Sequence, residues 1–360
     1  MPQWFTSEDS KFFKEVVTPE VWANIRTTYN HEALREECEA AGIPVGSVKF
    51  YWYKTQGISL FSKMENEGLK KEVIFKLLFE SFQDYQLPSF TFPAQSLSKN
   101  CAIINLYDAH LDKISIKGET GENITMQDNI NRYVKGFDNL LASVLTHDPE
   151  QIIFPIGNDL FHANDMSGRT KRGTQIQYLC SPEEAYSEIC KVIVGCVAKL
   201  AQTGAKVVIP FVKGNHDEDN VTILGFWLRE LFKANNQITF LPGRLQRNYI
   251  RYGANLFGFA HGDKEKSKIS DLPLLMAQEV PQQWAATKYR KFLCGDLHHE
   301  FEYKFLSSKD RPGVQIAFLR SVGGSDKWHV DHGWIGIPKT AYAEIWDKEN
   351  GEKAGFKVNL

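Results

Sequence analysis

The sequence predicts an α/β protein in which a small helical domain precedes a larger domain built on a buried sheet. From residue 101 onward, short apolar runs alternate with segments of helical periodicity, an order typical of α/β domains. Before residue 88 the pattern is mostly helical. A chain of 360 residues has room for one large domain and one smaller one.

The helical domain is predicted over residues 1–87, with a helix-turn-helix at 31–54. Apolar residues at helical spacing end at Gly42, and Pro44 suits the start of a second helix. The second helix would offer Lys49 and Tyr51 to DNA. Residues 1–99 hold 11 Lys and Arg against 13 Asp and Glu, whereas DNA binding relies on excess positive charge. A small helical interaction or packing domain is therefore the alternative.

A linker and then an α/β domain are predicted after residue 87. Residues 88–100 contain two prolines and several serines, and the α/β domain takes up 101–360. The predicted strands are the apolar runs 101–107, 151–156, 205–212 and 256–260. The predicted helices are 129–146, 182–203 and 222–235.

Composition excludes several classes of protein. The formal net charge of −2 does not suit a basic coat for nucleic acid or for an anionic membrane. No apolar run approaches the roughly 18 residues that span a bilayer, and the N-terminus lacks a signal-peptide pattern. The six cysteines form no C-x-x-C pair, so we expect a reduced, cytoplasmic protein without membrane partners. No phosphate-binding loop of the ATPase type is present.

Five polar clusters carry the candidate chemistry, and the first four directly follow predicted strands. Taken together they contain Asp108, His110, Asp159, His162, Asn215, His216, Asp217, His261, Asp296, His298 and His299. Ligands of α/β sheets gather at the carboxyl ends of strands. Oxygen and imidazole donors suit manganese, iron or zinc. Two such ions, about 3.5–4 Å apart, can hold a bridging hydroxide and clamp a phosphoryl oxygen.

These clusters differ in how specific they are. An aspartate and a histidine at i and i+2 point the same way in extended chain, but D-x-H alone is a weak signal. Gly-Asn-His-Asp at 214–217 is far more specific, because an ordinary turn explains it poorly. Three metal-competent side chains within 296–299 are also uncommon by chance.

The ordered set D-x-H, G-[GN]-D-L-F-H, G-N-H-D, H-G and G-x-x-H resembles the calcineurin-like metallophosphoesterase superfamily. Gly-Asn-Asp-Leu-Phe-His at 157–162 looks closest to the SbcD-type DNA repair exonucleases, and with the stretch at 170–175 to their phage-encoded relatives. The resemblance covers about 101–347. It implies a sandwich of two mixed sheets flanked by helices.

The resemblance also implies a role for each residue of the site. Asp108, His110 and His298 would bind the first metal, Asp159 would bridge both, and Asn215 and His261 would bind the second. His216 would contact the scissile phosphate and protonate the leaving oxygen. His162 matches a second histidine of the nuclease branch, and Asp217 would orient a neighbouring ligand.

The last motif departs from the family pattern. The family usually has G-H-x-H, but here Gly295 is followed by Asp296, and then by Leu297 and His298. Asp296 therefore stands where the second metal normally receives an imidazole. We expect Asp296 to bind that metal; the alternative is that His299 takes part.

The sequence as a whole predicts a metal-dependent phosphodiesterase, a DNA nuclease with two divalent ions, of which manganese is favoured over iron or zinc. Arg169, Lys171 and Arg172 would contact DNA phosphates, or else form a solvated loop. One alternative is a phosphatase or cyclic-nucleotide phosphodiesterase acting on a small molecule. Another is a DNA-binding or assembly protein with a vestigial site. A homodimer and a separate ATPase subunit, as in repair nucleases of this type, are left open.

Overall fold

The computed structural model describes residues 50–54, 59–63, 98–164, 168–169, 176, 180–243, 245–296, 307–311, 313–324 and 338–360. The chain divides into two compact units, Met1–Glu67 and Gly68–Leu360. The described residues of the first unit form one hairpin. Those of the second form two large mixed sheets, one short strand pair and the helices packed against them.

A β-hairpin stands where the sequence pattern predicted a recognition helix. Strand β1 (Phe50–Lys54) pairs antiparallel with strand β2 (Ser59–Lys63). The helical prediction is therefore wrong over these residues, which include Tyr51, because four consecutive aromatic residues favour a strand. Strand β2 also replaces predicted helix. The other predictions for this region fall outside the described residues, namely 1–49 with Lys49, 55–58, 64–87 and the linker from 88 to 97.

The larger sheet has six strands. In spatial order these are β15 (Gly351–Asn359), β14 (Thr340–Asp347), β3 (Asn100–Asn105), β4 (Gln151–Ile153), β6 (Lys206–Ile209) and β8 (Ile238–Phe240). Strands β3, β4, β6 and β8 are parallel, whereas β14 and β15 pair antiparallel with their neighbours. Strand β3 is buried along its whole length, as expected for a strand that is covered on both faces.

The second sheet has five strands and is also mixed. In spatial order these are β12 (Ser307–Arg311), β13 (Val314–Phe318), β11 (Tyr289–Cys294), β10 (Asn255–Ala260) and β9 (Asn248–Tyr252). The three inner strands are parallel, and the two outer strands are antiparallel to them. Both sheets therefore direct the carboxyl ends of parallel strands toward loops that carry polar clusters.

Two prolines interrupt strands that the sequence predicted as continuous. Strands β5 (Ile156–Gly157) and β7 (Phe211–Val212) form a parallel pair just beyond β4 and β6. Pro155 and Pro210 separate them from β4 and β6, and proline has no N–H to give to a ladder. The chain continues in the same direction, so β5 and β7 bring their following loops to the sheet edge.

The two large sheets face each other across a shared apolar core. Ile103 of β3 and Trp346 of β14 belong to one cluster with Phe257 and Phe259 of β10 and Leu293 of β11. Each fully buried side chain of this size contributes about 1.5–3 kcal/mol through removal of its apolar surface from water. This packing fixes the ends of β3 and β11 relative to each other.

Helices cover the outer faces of both sheets. They are α1 (Lys117–Thr120), α2 (Met126–Leu145), α3 (Pro182–Ala201), α4 (Glu218–Leu231), the 3-10 helix Lys266–Asp271, α5 (Leu272–Glu279) and α6 (Pro281–Ala285). Helices α2, α3 and α4 share a core with outward-facing residues of the six-stranded sheet, such as Ile104 and Val207. Met276 of α5 packs with Phe292 of the five-stranded sheet. Among the described residues, no helix combines the length and apolarity needed to cross a membrane.

Capping boxes fix where two of these helices begin. The Thr125 side chain accepts from the Asp128 amide while the Asp128 carboxylate accepts from the Thr125 amide. Ser181 and Glu184 make the same reciprocal pair before α3, and Pro182 occupies its first turn. Helix α3 begins where the sequence predicted. Helix α2 begins three residues before its predicted start, because a prediction from apolar spacing does not take the capping residues into account.

Candidate metal centre

Polar side chains from the strand ends of both sheets meet at one place. Asp108 follows β3, Asp159 follows β5 and Asn215 follows β7. His261 follows β10, and Asp296 follows β11 of the other sheet. Side-chain contacts join these five residues, although the residues are spread over 189 positions of sequence. The prediction that strand ends gather these residues matches the geometry.

His261 lies at the centre of this group and is fully buried. Its Nε2 atom lies 2.7 Å from Asn215 Oδ1, 3.3 Å from Asp159 Oδ2 and 3.6 Å from Asp296 Oδ1. Its Nδ1 atom lies 2.5 Å from Asn158 Oδ1. Burial opposes the charged ring, but Asp159, Asp108 and Asp296 together outweigh burial and raise the pKa of His261 to about 10. The ring is thus held by oxygen atoms on both of its nitrogens.

Asp108, His110 and Asp159 form a compact set of buried metal-type donors. One ligand atom of each lies within 4.8 Å of the others. Burial raises the pKa of the Asp108 carboxyl to about 8. The pKa of Asp159 is lowered despite its burial, because the His261 ring stabilises the carboxylate. Buried carboxylates at this density require a cation or many hydrogen-bond donors.

Three imidazoles form a second set beside the first. His110, His162 and His216 each offer a ring nitrogen within 4.8 Å of the other two. The His162 and His216 rings are stacked, with centroids 5.1 Å apart and planes 12° apart. His110 Nδ1 lies 3.4 Å from His162 Nδ1, so His110 belongs to both sets. The two histidines predicted to act on substrate therefore stand directly against a predicted ligand.

Backbone strain is concentrated at this site. Six non-glycine residues of the described chain have positive φ, and all but Asp148 lie here: Asp108, His110, Asn158, Asp159 and Asp296, with φ from 41° to 62°. Left-handed backbone costs a residue with a side chain about 1–3 kcal/mol where the surrounding structure imposes it. Hydrogen bonds impose it here, since the Asp108 amide donates to Asn158 O and the His110 amide to Asp159 O, both at 2.9 Å.

Gly214 explains part of the specificity of the Gly-Asn-His-Asp motif. A Cβ atom at this position would lie 1.7 Å from Asp159 Oδ1. The same Asp159 oxygen accepts a hydrogen bond from the His216 amide at 2.9 Å. Only glycine lets the loop after β7 approach the carboxylate this closely, so the glycine is required by the position of Asp159.

Asp217 holds two of these loops together. Its carboxylate accepts from the Leu160 amide at 2.7 Å and from the Gly214 amide at 2.9 Å, with a longer contact to the Phe161 amide. Burial and the nearby Asp159 charge raise the pKa of Asp217 above its usual range. Asp217 thus ties the loop after β5 to the loop after β7, which agrees with a positioning role.

Several residues predicted for the site lie outside the described residues. They are His298, His299, Lys171 and Arg172. Arg169 is half-buried, and its carbonyl accepts from the amide of Asn164, two residues after His162. The backbone of Arg169 is therefore attached close to His162.

Sequence reasoning assigned no role to three residues that contact the site. Asn158 contacts His261, and Asp112 accepts from the His162 amide at 2.6 Å. The Lys266 ammonium lies 2.9 Å from Asp296 Oδ2. Asn158 lies inside the motif at 157–162 and Asp112 lies two residues after His110, so both could have been inferred from their positions. Lys266 carries no such signal, because only the fold brings it to Asp296.

No protein-family model and no curated protein matches this sequence. A solved structure to which the chain is similar is Vps29 of Chaetomium thermophilum. The similarity covers 72% of this chain and 97% of that one, at 11% identity and a TM-score of 0.29. A score this low does not establish a common fold.

Proposed function

We propose that this protein is a metal-dependent phosphodiesterase of the calcineurin-like metallophosphoesterase class, and that its substrate is DNA. The observation that carries the proposal is the convergence of Asp108, His110, Asp159, Asn215 and His261 at the strand ends of two facing sheets. The order of these residues along the chain is the order of the motifs that resemble the class.

The donor set fits two divalent ions. Asp108 and His110 would hold one ion, Asp159 would be shared, and Asn215 and His261 would hold the other. When bound, such ions lower the pKa of water and neutralise charge on phosphoryl oxygens. Carboxylate, amide and imidazole donors suit manganese, iron or zinc, and manganese is the ion we propose. His298 and Asp296 would complete the two sets.

His216 is the proposed proton donor to the leaving oxygen. Its Nδ1 atom lies 3.0 Å from the carbonyl oxygen of His162. A carbonyl only accepts, so Nδ1 carries the proton of that hydrogen bond. Nε2 is then the nitrogen that gains or gives up a proton, which is the arrangement that general acid catalysis needs. The stacked His162 ring limits how far His216 can turn.

DNA is favoured over a small substrate by two observations. His162 lies against His110 and His216, as the nuclease branch of the resemblance would have it. Arg169 opens a basic stretch that is joined to the same loop through Asn164. The positive side chains of that stretch would hold the phosphates that flank the cleaved bond.

The test is cleavage by the purified full chain in Mn²⁺. Substrates are end-labelled single-stranded DNA, double-stranded DNA and a chromogenic phosphodiester. We expect DNA to be cut, chelation to stop the reaction, and His216→Ala to reduce it strongly. Cleavage of the chromogenic diester alone would favour the small-molecule alternative. Failure to cut any of the three would contradict the proposal.

A further inference from the structure

An ion pair between Lys266 and Asp296 lies at the edge of the candidate centre. The Lys266 ammonium is 2.9 Å from Asp296 Oδ2, while Asp296 Oδ1 points toward His261, 3.6 Å from its Nε2. One carboxylate is therefore shared between an ammonium and the group of donors proposed to bind the second ion.

The two partners of this ion pair differ in how well water reaches them. Asp296 Oδ2 is buried, and the Lys266 ammonium lies 2.9 Å from it. The Asp296 side chain is 11% exposed and that of Lys266 is 34% exposed. The ammonium can consequently move into water at low cost, whereas the carboxylate cannot.

The fold fixes where the ammonium begins. The Lys266 amide donates to Gly262 O at 2.8 Å, directly after His261. The preceding residue, Glu265, is buried and pairs with Arg247 at 3.0 Å. The backbone at Glu265 and Lys266 is thus held in place, and only the end of the Lys266 side chain can move.

Charge explains why a lysine belongs there. The centre contains the carboxyl groups of Asp108, Asp159 and Asp296 around the His261 ring, and Asp296 stands where the class usually has a neutral imidazole. The extra negative charge strengthens attraction for any cation. Lys266 supplies one positive charge at that carboxylate without a metal.

We propose, on the basis of the function proposed above, that Lys266 competes with the second divalent ion for Asp296. Binding of that ion displaces the ammonium from Oδ2. The protein therefore binds one ion tightly and the second more weakly, and the occupancy of the second position follows the metal concentration. Lys266 is a positioning residue in this scheme, since it acts through Asp296.

The test is calorimetric titration of the metal-stripped full chain with Mn²⁺. We expect two binding events in the wild type. In Lys266→Met the weaker event should tighten about tenfold, because a nearby positive charge is lost. Lys266→Arg keeps the charge and should bind like the wild type. Lys264→Met is the matched control, since its ammonium contacts Gln246 rather than Asp296.

The outcomes separate this inference from the proposed function. Unchanged affinity for both ions in Lys266→Met overturns the inference, and a raised KM for DNA with that result would make Lys266 a phosphate contact instead. Two-site binding with no cleavage of DNA or diester contradicts the function while leaving the competition intact. Absence of Mn²⁺ binding in the wild type contradicts both. Thermal melting of each variant identifies any loss of fold.

Discussion

The backbone amide of Asp296 donates a hydrogen bond to the carboxylate of Asp108, at 3.1 Å from Oδ2, across 188 residues of sequence. Asp108 follows an inner strand of one sheet, and Asp296 follows an inner strand of the other. This bond therefore joins the two sheets at the candidate centre. It also orients Asp108, whose burial would otherwise make its charge costly.

Gly295 makes this junction possible, and its replacement should damage the centre. A Cβ atom at Gly295 would lie 2.7 Å from Asp108 Oδ2 and 2.9 Å from Asn158 Oδ1. We expect Gly295→Ala to weaken Mn²⁺ binding at least about tenfold, since misplaced ligands lose affinity on that scale. Calorimetry measures it. Gly195→Ala, in α3 with nothing within 4 Å of its Cβ, is the control. Equal affinities in the two variants would refute the steric argument.

His216→Ala should separate chemistry from metal binding. General acid catalysis contributes about 10²- to 10⁴-fold, so kcat should fall within that range. Both Mn²⁺ binding events should persist, because His216 is not among the proposed ligands. His147→Ala is the matched control, since that ring packs on Phe356 at the edge of the six-stranded sheet. Loss of both activity and ion binding in His216→Ala would instead mark His216 as a ligand.

Asp217→Asn should lower stability as well as activity. The amide would turn an –NH₂ group toward backbone N–H donors of Leu160 or Gly214, leaving at least one donor unsatisfied. Such a buried loss costs about 1–3 kcal/mol of unfolding free energy. Urea unfolding gives the value. Asp138→Asn, which breaks an exposed pair with Lys199, should cost less than about 1 kcal/mol. Identical unfolding midpoints would show that Asp217 ties no loops together.

A buried ion pair outside the candidate centre should affect the free energy of unfolding and not activity. Lys291 of β11 lies 2.7 Å from Glu344 of β14, so the pair links the two sheets. Lys291→Met leaves the Glu344 charge buried, which costs about 3–5 kcal/mol. The double variant Lys291→Met/Glu344→Leu should recover most of that free energy in the same unfolding assay. A double variant as unstable as the single one would show that packing, not charge, is responsible.

Sequence pattern predicted the strands that lead to Asp108, Asp159, Asn215 and His261, because buried strands are apolar runs that end in polar motifs. It did not predict β11, which leads to Asp296. It did not predict the breaks at Pro155 and Pro210, since the apolar run continues through them. It was wrong at Phe50–Lys54, where consecutive aromatic residues favour a strand.

For the candidate centre too, the sequence predicted some residues and missed others. Asp108, Asp159 and His261 were found from motifs, because each is fixed by a local strand end. Lys266 was not, since its contact with Asp296 depends on how two loops meet in space. The need for glycine at 295 likewise depends on a carboxylate 187 positions away.

We expect divalent ions to bind where the two sheets meet. Anomalous diffraction from crystals of the full chain grown in Mn²⁺ tests it most directly. We expect two peaks about 3.5–4 Å apart, with Asp159 in contact with both. One peak should lie beside Asp108 and His110, and the other beside Asn215 and His261. Peaks confined to surface carboxylates, or none at Asp159, would contradict the account.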